Sequence, residues 1–271
     1  MAFVENQGAK LYWDEQGQGA PVLLIMGLGY PSALWHRTRP LLSQHFRTVA
    51  LDNRGVGSSD VSPGPYSIST MASDAAAVLD AASISSAHVF GVSMGGMVAQ
   101  EFALLYPERT RSLILGCTSA GGPSAVRAER KVADILMTRG MTLEQAREAI
   151  IPHIYDASTP SEKIEEDMRL RRRCLPSLEG YTAQLQGILA WEGYSRIAQI
   201  AAPTLVIHGK SDALVPPGNG QLIAERIPGA RLVLLDHASH LFLTDQTQLA
   251  NEVIFEFLVS QMHEPNSATT S

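Results

Sequence analysis

A serine bracketed by glycines, Gly91-Val92-Ser93-Met94-Gly95, follows the apolar segment 87–90 and leads into a run of small residues that continues to Tyr106. Strand, bracketed serine and helix in that order describe a tight turn that lifts a hydroxyl clear of a sheet's end, while the helix aims its N–H groups at it. Side chains two residues to either side of the serine would collide with the neighbouring strand or helix, and glycine removes the collision. A serine hydroxyl is a weak nucleophile at neutral pH, so it needs a base within hydrogen-bond reach and a third group to orient that base. Two histidines, His237 and His240, follow the apolar segment 231–235, and Asp212 follows the segment 204–208. Asp236 and Asp52 compete with Asp212: Asp236 is close enough in sequence to His240 to brace its loop, and Asp52 precedes the serine. The order Ser93, Asp212, His240 is one used by serine nucleophiles on such turns, and Asp52, which precedes the serine, does not fit it.

The elements that must hold these groups are legible in the hydrophobic pattern. Strand-like segments lie at 10–15, 21–26 and 47–52, and the run Val22-Leu23-Leu24-Ile25 is too apolar for a strand with one wet face. A helix over 33–46 would connect the second and third of these. Helix 70–82, strand 87–90, helix 95–106 and strand 112–116 repeat the alternation. Strand 204–208, helix 218–226, strand 231–235 and helix 246–262 complete it, giving an α/β protein with a mainly parallel sheet. Residues 121–198 break the rhythm, with helical patterns at 125–138, 143–153, 161–174 and 181–190 and no good strand. They are expected to form a helical cap over the end of a core built from 1–120 and 199–263, with 264–271 a disordered tail.

Composition narrows the function classes. With 271 residues and 45% hydrophobic content the chain can bury a sizeable core, and a net charge of −6 argues against nucleic acid and anionic membranes as partners. No apolar run is long enough to span a bilayer and no secretory leader is visible, so a cytoplasmic protein is expected. Its two cysteines, Cys117 and Cys174, form no zinc-spaced cluster, and no metal or organic cofactor is called for.

The bracketed serine, Asp52-Asn53-Arg54-Gly55-Val56-Gly57-Ser58-Ser59, Tyr106-Pro107-Glu108-Arg109 and His208-Gly209 ahead of Asp212 together resemble the α/β-hydrolase superfamily over residues 3–262. Within it, the chain is most similar to the esterases around the enol-lactonases, aclacinomycin methylesterase and the cofactor-free haloperoxidases. That resemblance implies an eight-stranded, mainly parallel sheet flanked by helices, with the helical cap inserted after the sixth strand. It implies Ser93 as nucleophile, His240 in preference to His237 as base, Asp212 as the orienting acid, and the backbone N–H groups of Leu28 and Met94 as oxyanion donors. The expected activity is cleavage of a small to medium, partly apolar carboxylic ester or lactone through an acyl-enzyme. Acyl transfer, perhydrolysis and carbon–carbon hydrolysis use the same triad, and a non-catalytic receptor of the same fold is the rival from another class. The chain departs from many relatives at Met26-Gly27-Leu28-Gly29, where a His-Gly pair is common, and at Ser239-His240, where Gly-His is common.

Other residues carry weaker expectations. Trp35, Met137 and Trp191 are placed to line a substrate pocket. The stretch Gly55 to Asp60 lacks the third glycine and the helix of a dinucleotide site. In the arginine-rich segment 169–173, Glu165 to Arg169 and Asp167 to Arg171 are helical i,i+4 pairs, which points to a solvated helix face. Cys117, without a paired histidine, reads as a small buried residue.

Overall fold

The structure, a computed structural model, describes residues 2–138, 140–174 and 176–262. The expected disordered tail, 264–271, lies outside the described residues. The chain opens on a hairpin of β1 (Ala2–Asn6) and β2 (Ala9–Gln16), joined by Gln7 and Gly8 at φ 47° and 75°. Two successive positive φ values make the turn whose twist matches the flanking strands. β1 escapes the hydrophobic pattern because it is short, with half-buried and exposed residues alternating along it.

After β3 (Pro21–Ile25), the single helix expected over 33–46 is instead a 3-10 segment, Ser32–Arg37, followed by the short α1 (Arg39–Leu42). Pro40 has no N–H to donate to the preceding turn, so the ladder restarts with the proline in its first turn. The alternation then runs through β4 (Arg47–Leu51), α2 (Ile68–Ala81), β5 (Ala87–Val92), α3 (Met94–Leu105) and β6 (Thr110–Gly116). Four helices follow β6: α4 (Arg130–Leu136), α5 (Leu143–Ile154), α6 (Ser161–Arg173) and α7 (Leu178–Ala190). The chain ends with β7 (Thr204–Gly209), α8 (Gly218–Arg226), β8 (Arg231–Leu235), α9 (Phe242–Asp245) and α10 (Thr247–Ser260).

The eight strands form one sheet in the order β1-β2-β4-β3-β5-β6-β7-β8, antiparallel at β1/β2 and β2/β4 and parallel elsewhere. Alternate residues of the parallel strands feed two apolar clusters. Leu23, Ile25, Val89, Leu113 and Val206 pack with α2 and α3, while Val22, Leu24, Phe90, Ile114 and Ile207 pack with Trp35 and α10. Burial on both faces is why these segments read as unbroken apolar runs. The order reverses at β3, which lies between β4 and β5, so a crevice opens at the carboxyl ends of β3 and β5.

One helix of the segment between β6 and β7 is set hard against the loop that follows β4. Added side chains at Gly180 and Gly187 of α7 would strike the backbone of Gly55 and Tyr66, and Ala183 and Gln184 complete the buried face between them. No described helix is long and apolar enough to cross a membrane.

A buried histidine makes the fold acid-sensitive. His88 on β5 sits in the interior, its Nδ1 2.8 Å from Ser112 Oγ, and burial, with help from Arg111, lowers its pKa from 6.5 to about 4. The unfolded chain therefore binds this proton more tightly than the folded one, so stability is lost as pH falls from about 6.5 through 4, by roughly 3 kcal/mol in full. Urea midpoints measured between pH 7 and 4 should fall less steeply in His88→Asn than in the parent; equal slopes would show that His88 is not the group responsible.

Candidate active site

Four loops at the carboxyl ends of β3, β5, β7 and β8 meet over the crevice. The loop after β5 is the bracketed serine. Ser93 has φ 55° and ψ −123°, outside the usual regions for a non-glycine residue, and is held there by its N–H to Gly116 O (2.9 Å) and by Thr118 Oγ1 donating to its carbonyl (2.7 Å). A side chain at Gly91 would run into the backbone of Gly95, and one at Gly95 into the carbonyl of Ile25. The turn therefore closes only with glycine at both positions.

Ser93 Oγ lies 3.0 Å from His240 Nε2, and His240 Nδ1 lies 2.8 Å from Asp212 Oδ2. The neutral imidazole that accepts from the serine carries its proton on Nδ1 and donates it to Asp212. Asp212 Oδ1 accepts from the N–H groups of Leu214 (2.9 Å) and Val215 (2.8 Å). Burial alone would raise the Asp212 pKa, but the His240 charge and the hydrogen bonds from His208 and His240 outweigh it and hold the carboxyl down at about 2. The loops carrying the acid and the base are joined directly, with Lys210 N–H on Leu235 O (3.0 Å) and Ser211 N–H on Ala238 O (2.9 Å). His240's loop is further fixed by Ser239 N–H on Asp245 Oδ2 (2.7 Å).

The residues competing for these positions lie elsewhere. His237 is exposed, at φ 53°, and Asp236 is exposed with its carboxylate on Lys210 Nζ (2.7 Å). Asp52 is buried and accepts from the N–H groups of Ser32 (2.7 Å) and Ser58 (2.8 Å), tying the loop after β4 to the segment after β3.

Leu28 and Met94 both line the cavity beside Ser93, and Met94 begins α3, where its N–H precedes the intrahelical ladder. The Leu28 loop is supported without the His-Gly pair common elsewhere. Asn53 Nδ2 donates to Met26 O (2.9 Å), and Gly29 N–H donates to Oε1 of Gln184 on α7 (2.9 Å), whose Nε2 in turn donates to Arg54 O (2.7 Å). Gln184 and Asn53 are not apparent as site residues in the sequence, since only the fold brings α7 to this loop. His208, whose Nε2 lies 2.7 Å from Val215 O and 3.3 Å from Asp212 Oδ2, is also a neighbour of the acid that its strand position does not reveal.

The cavity above Ser93 has a volume of about 180 Å³ and draws on Leu34, His36, Ile135, Leu136, Ile150 and Ile154 among others. The three residues expected to line it do not. Trp35 is buried against Phe90, with ring centroids 4.8 Å apart, on the far side of β5. Trp191 turns its Nε1 to Glu101 (2.9 Å), and Met137 packs against the core beneath α4 while its neighbours Leu136 and Thr138 face the cavity. The solvated face expected for α6 is also corrected. Asp167 is buried and bonded to Arg37 Nη2 (3.0 Å), not to Arg171, and Arg171 is buried at the cavity wall.

Cys117, Asp212 and His240 offer ligand atoms within 4.8 Å of one another, but they do not suit a metal. Burial and the nearby Asp212 carboxylate raise the Cys117 pKa, so the sulfur stays a thiol, accepting from Gly209 N–H at 3.5 Å. Both His240 nitrogens already have partners.

Residues 20–148 and 168–247 match the family model described as the alpha/beta hydrolase fold. RutD of Azorhizobium caulinodans, named as a carbamate hydrolase, is 33% identical, covering 95% of this chain and 98% of its own. The pimeloyl-[acyl-carrier protein] methyl ester esterase of Aeromonas hydrophila is 29% identical, covering 89% of this chain and 96% of its own. Among solved structures, the enol-lactonase from Burkholderia xenovorans superimposes with a TM-score of 0.86 at 26% identity, covering 95% of this chain and all of that one (100%). A hydrolase fold shared over nearly the whole length, with relatives named as esterase and lactonase, is a stronger statement than any single motif. The chain belongs to the alpha/beta hydrolase family.

Proposed function

We propose that this protein is a serine hydrolase that cleaves a carboxylic ester or lactone of a small, partly apolar molecule through an acyl-enzyme. The observation that carries the reading is the continuous hydrogen-bonded line from Asp212 through His240 to Ser93, ending at the wall of a mainly apolar cavity. Ser93 Oγ attacks the carbonyl carbon as His240 Nε2 takes its proton, and Asp212 stabilises the imidazolium that forms. The N–H groups of Leu28 and Met94 hold the tetrahedral oxyanion. His240 then gives its proton to the departing alkoxide. A water, deprotonated by the same nitrogen, attacks the acyl-enzyme carbonyl, and the acid leaves as Ser93 recovers its proton. The helices α4 to α7 act as a cap that keeps bulk water from the cavity.

Incubation with a fluorophosphonate tests this reading: a single adduct on Ser93 is expected, and an unreactive serine in the folded protein would overturn it. The oxyanion loop supplies a second test. Gln184→Leu leaves Gly29 N–H and Arg54 C=O without their partner, a loss of about 1–3 kcal/mol in stability. Loosening of the adjoining Leu28 donor is expected to cost about tenfold in kcat with little change in KM. Urea unfolding and steady-state hydrolysis of short-chain esters measure the two effects, and a kcat equal to the parent's would separate the loop from catalysis.

A further inference from the structure

The cavity wall carries two cations that the triad does not use. Arg147 on α5 and Arg171 on α6 both line it, and among the described residues neither reaches a carboxylate in an ion pair. Arg171 lies with its guanidinium carbon 4.3 Å from the Tyr30 ring centroid, and its Nη1 finds only the weak acceptor Met168 Sδ at 3.5 Å. Burial, and then the like charge of Arg171, pull the Arg147 pKa below the ordinary arginine value, which places the two guanidinium groups within electrostatic reach of each other.

Among the described residues no carboxylate makes an ion pair with either, and Glu144, on the same helix, acts on Arg147 only weakly, as the last-ranked influence on its pKa. Asp167 is the one carboxylate lining the cavity among the described residues, and its oxygens are taken by Arg37 Nε (3.2 Å) and Nη2 (3.0 Å), Tyr155 OH (3.2 Å) and Thr244 Oγ1 (2.6 Å). His36 Nε2 stands 3.3 Å from the same carboxylate without hydrogen-bond alignment. Tyr30 and Tyr181 are no substitutes, because burial raises both phenols, Tyr181 to about 12, and keeps them neutral. Two neighbouring cations in a mainly apolar cavity are costly until an anion joins them, and the forked guanidinium matches a planar carboxylate.

We propose that Arg147 and Arg171 form a subsite for a carboxylate that the substrate carries in addition to its scissile bond, so that the preferred substrates are half-esters or lactones bearing a free acid. The scissile end of this assignment rests on the hydrolase reading; the anion subsite does not.

The test has two arms. In the first, kcat/KM is measured for the monomethyl esters of succinate, glutarate and adipate against methyl esters of neutral alkanoic acids of similar length. At least one acid ester is expected to be preferred by about 10- to 100-fold, and Arg147→Gln to reduce that preference by about tenfold or more, with partial return in Arg147→Lys. In the second, the same half-esters are titrated calorimetrically into Ser93→Ala. Tightest binding is expected for the preferred half-ester, weakening by about tenfold when Arg147→Gln is added and weakening with salt. Arginine-dependent binding without turnover of any ester would sink the hydrolase reading and leave the subsite standing. Turnover with no preference for the acid esters, together with binding indifferent to Arg147→Gln, would overturn the subsite alone.

Discussion

Replacing Ser93 with alanine is expected to lower kcat/KM by about 10⁴- to 10⁶-fold on any ester the parent hydrolyses, because the members of such a triad act as a unit. The variant removes one oxygen and little else. Ser93 is held in its turn by main-chain bonds to Gly116 and by Thr118 on its carbonyl, none of which uses Oγ. His240 keeps its bond to Asp212. The melting temperature should therefore stay close to the parent's while activity and fluorophosphonate labelling disappear together. Adding His240→Ala to Ser93→Ala should cost almost nothing further, since the first change has already disabled the second residue's task. Hydrolysis within tenfold of the parent in Ser93→Ala would end the case for this serine.

Asp212→Asn should cost on the order of 10⁴ in kcat, and the local bonding says why. Oδ1 of Asp212 accepts from the N–H groups of Leu214 and Val215, so an asparagine must place its carbonyl oxygen there. Its amide nitrogen then faces His240 Nδ1, which must accept where it formerly donated. The imidazole proton moves to Nε2 and points at Ser93 Oγ, and a ring protonated on that nitrogen cannot take the serine's proton. Crystal-quality folding with a loss of only a few fold would show that Asp212 does not orient the base. The acid limb of stability should change as well. With its pKa held at about 2 against 3.8, Asp212 contributes stability above about pH 4 that disappears as pH falls through 2, and the asparagine variant lacks that step.

The chemical groups are far easier to read from the sequence than the walls around them. Ser93, Asp212 and His240 each follow an apolar run, and buried parallel strands are the elements whose pattern is least ambiguous. Their carboxyl ends converge by topology alone. The cavity wall depends on how each helix is rotated, which pattern does not fix. The 3-10 winding of Ser32–Arg37 turns Leu34 and His36 to the cavity and sends Trp35 into the core. Pairing within α6 suggests that Asp167 serves Arg171, yet Arg37, 130 residues earlier, takes it. The sequence signal that could have found Arg147 is its place one and two turns before Ile150 and Ile154 on an otherwise apolar stripe of α5, a charge where packing would prefer none.

The backbone contact of α7 with Gly55 and Tyr66 bears on how molecules travel to and from the serine. A helix seated without intervening side chains has no soft layer on which to slide, and moving it would also break both Gln184 bonds. By contrast, α4 and α5 share a small apolar cluster of their own, Val132, Ile150, Ile154 and Tyr155, that meets the core chiefly at Leu214 and Leu241. In the proposed scheme, a route on the α4–α5 side, which carries Arg147, would bring a substrate's free acid to its counter-charge before its ester reaches Ser93.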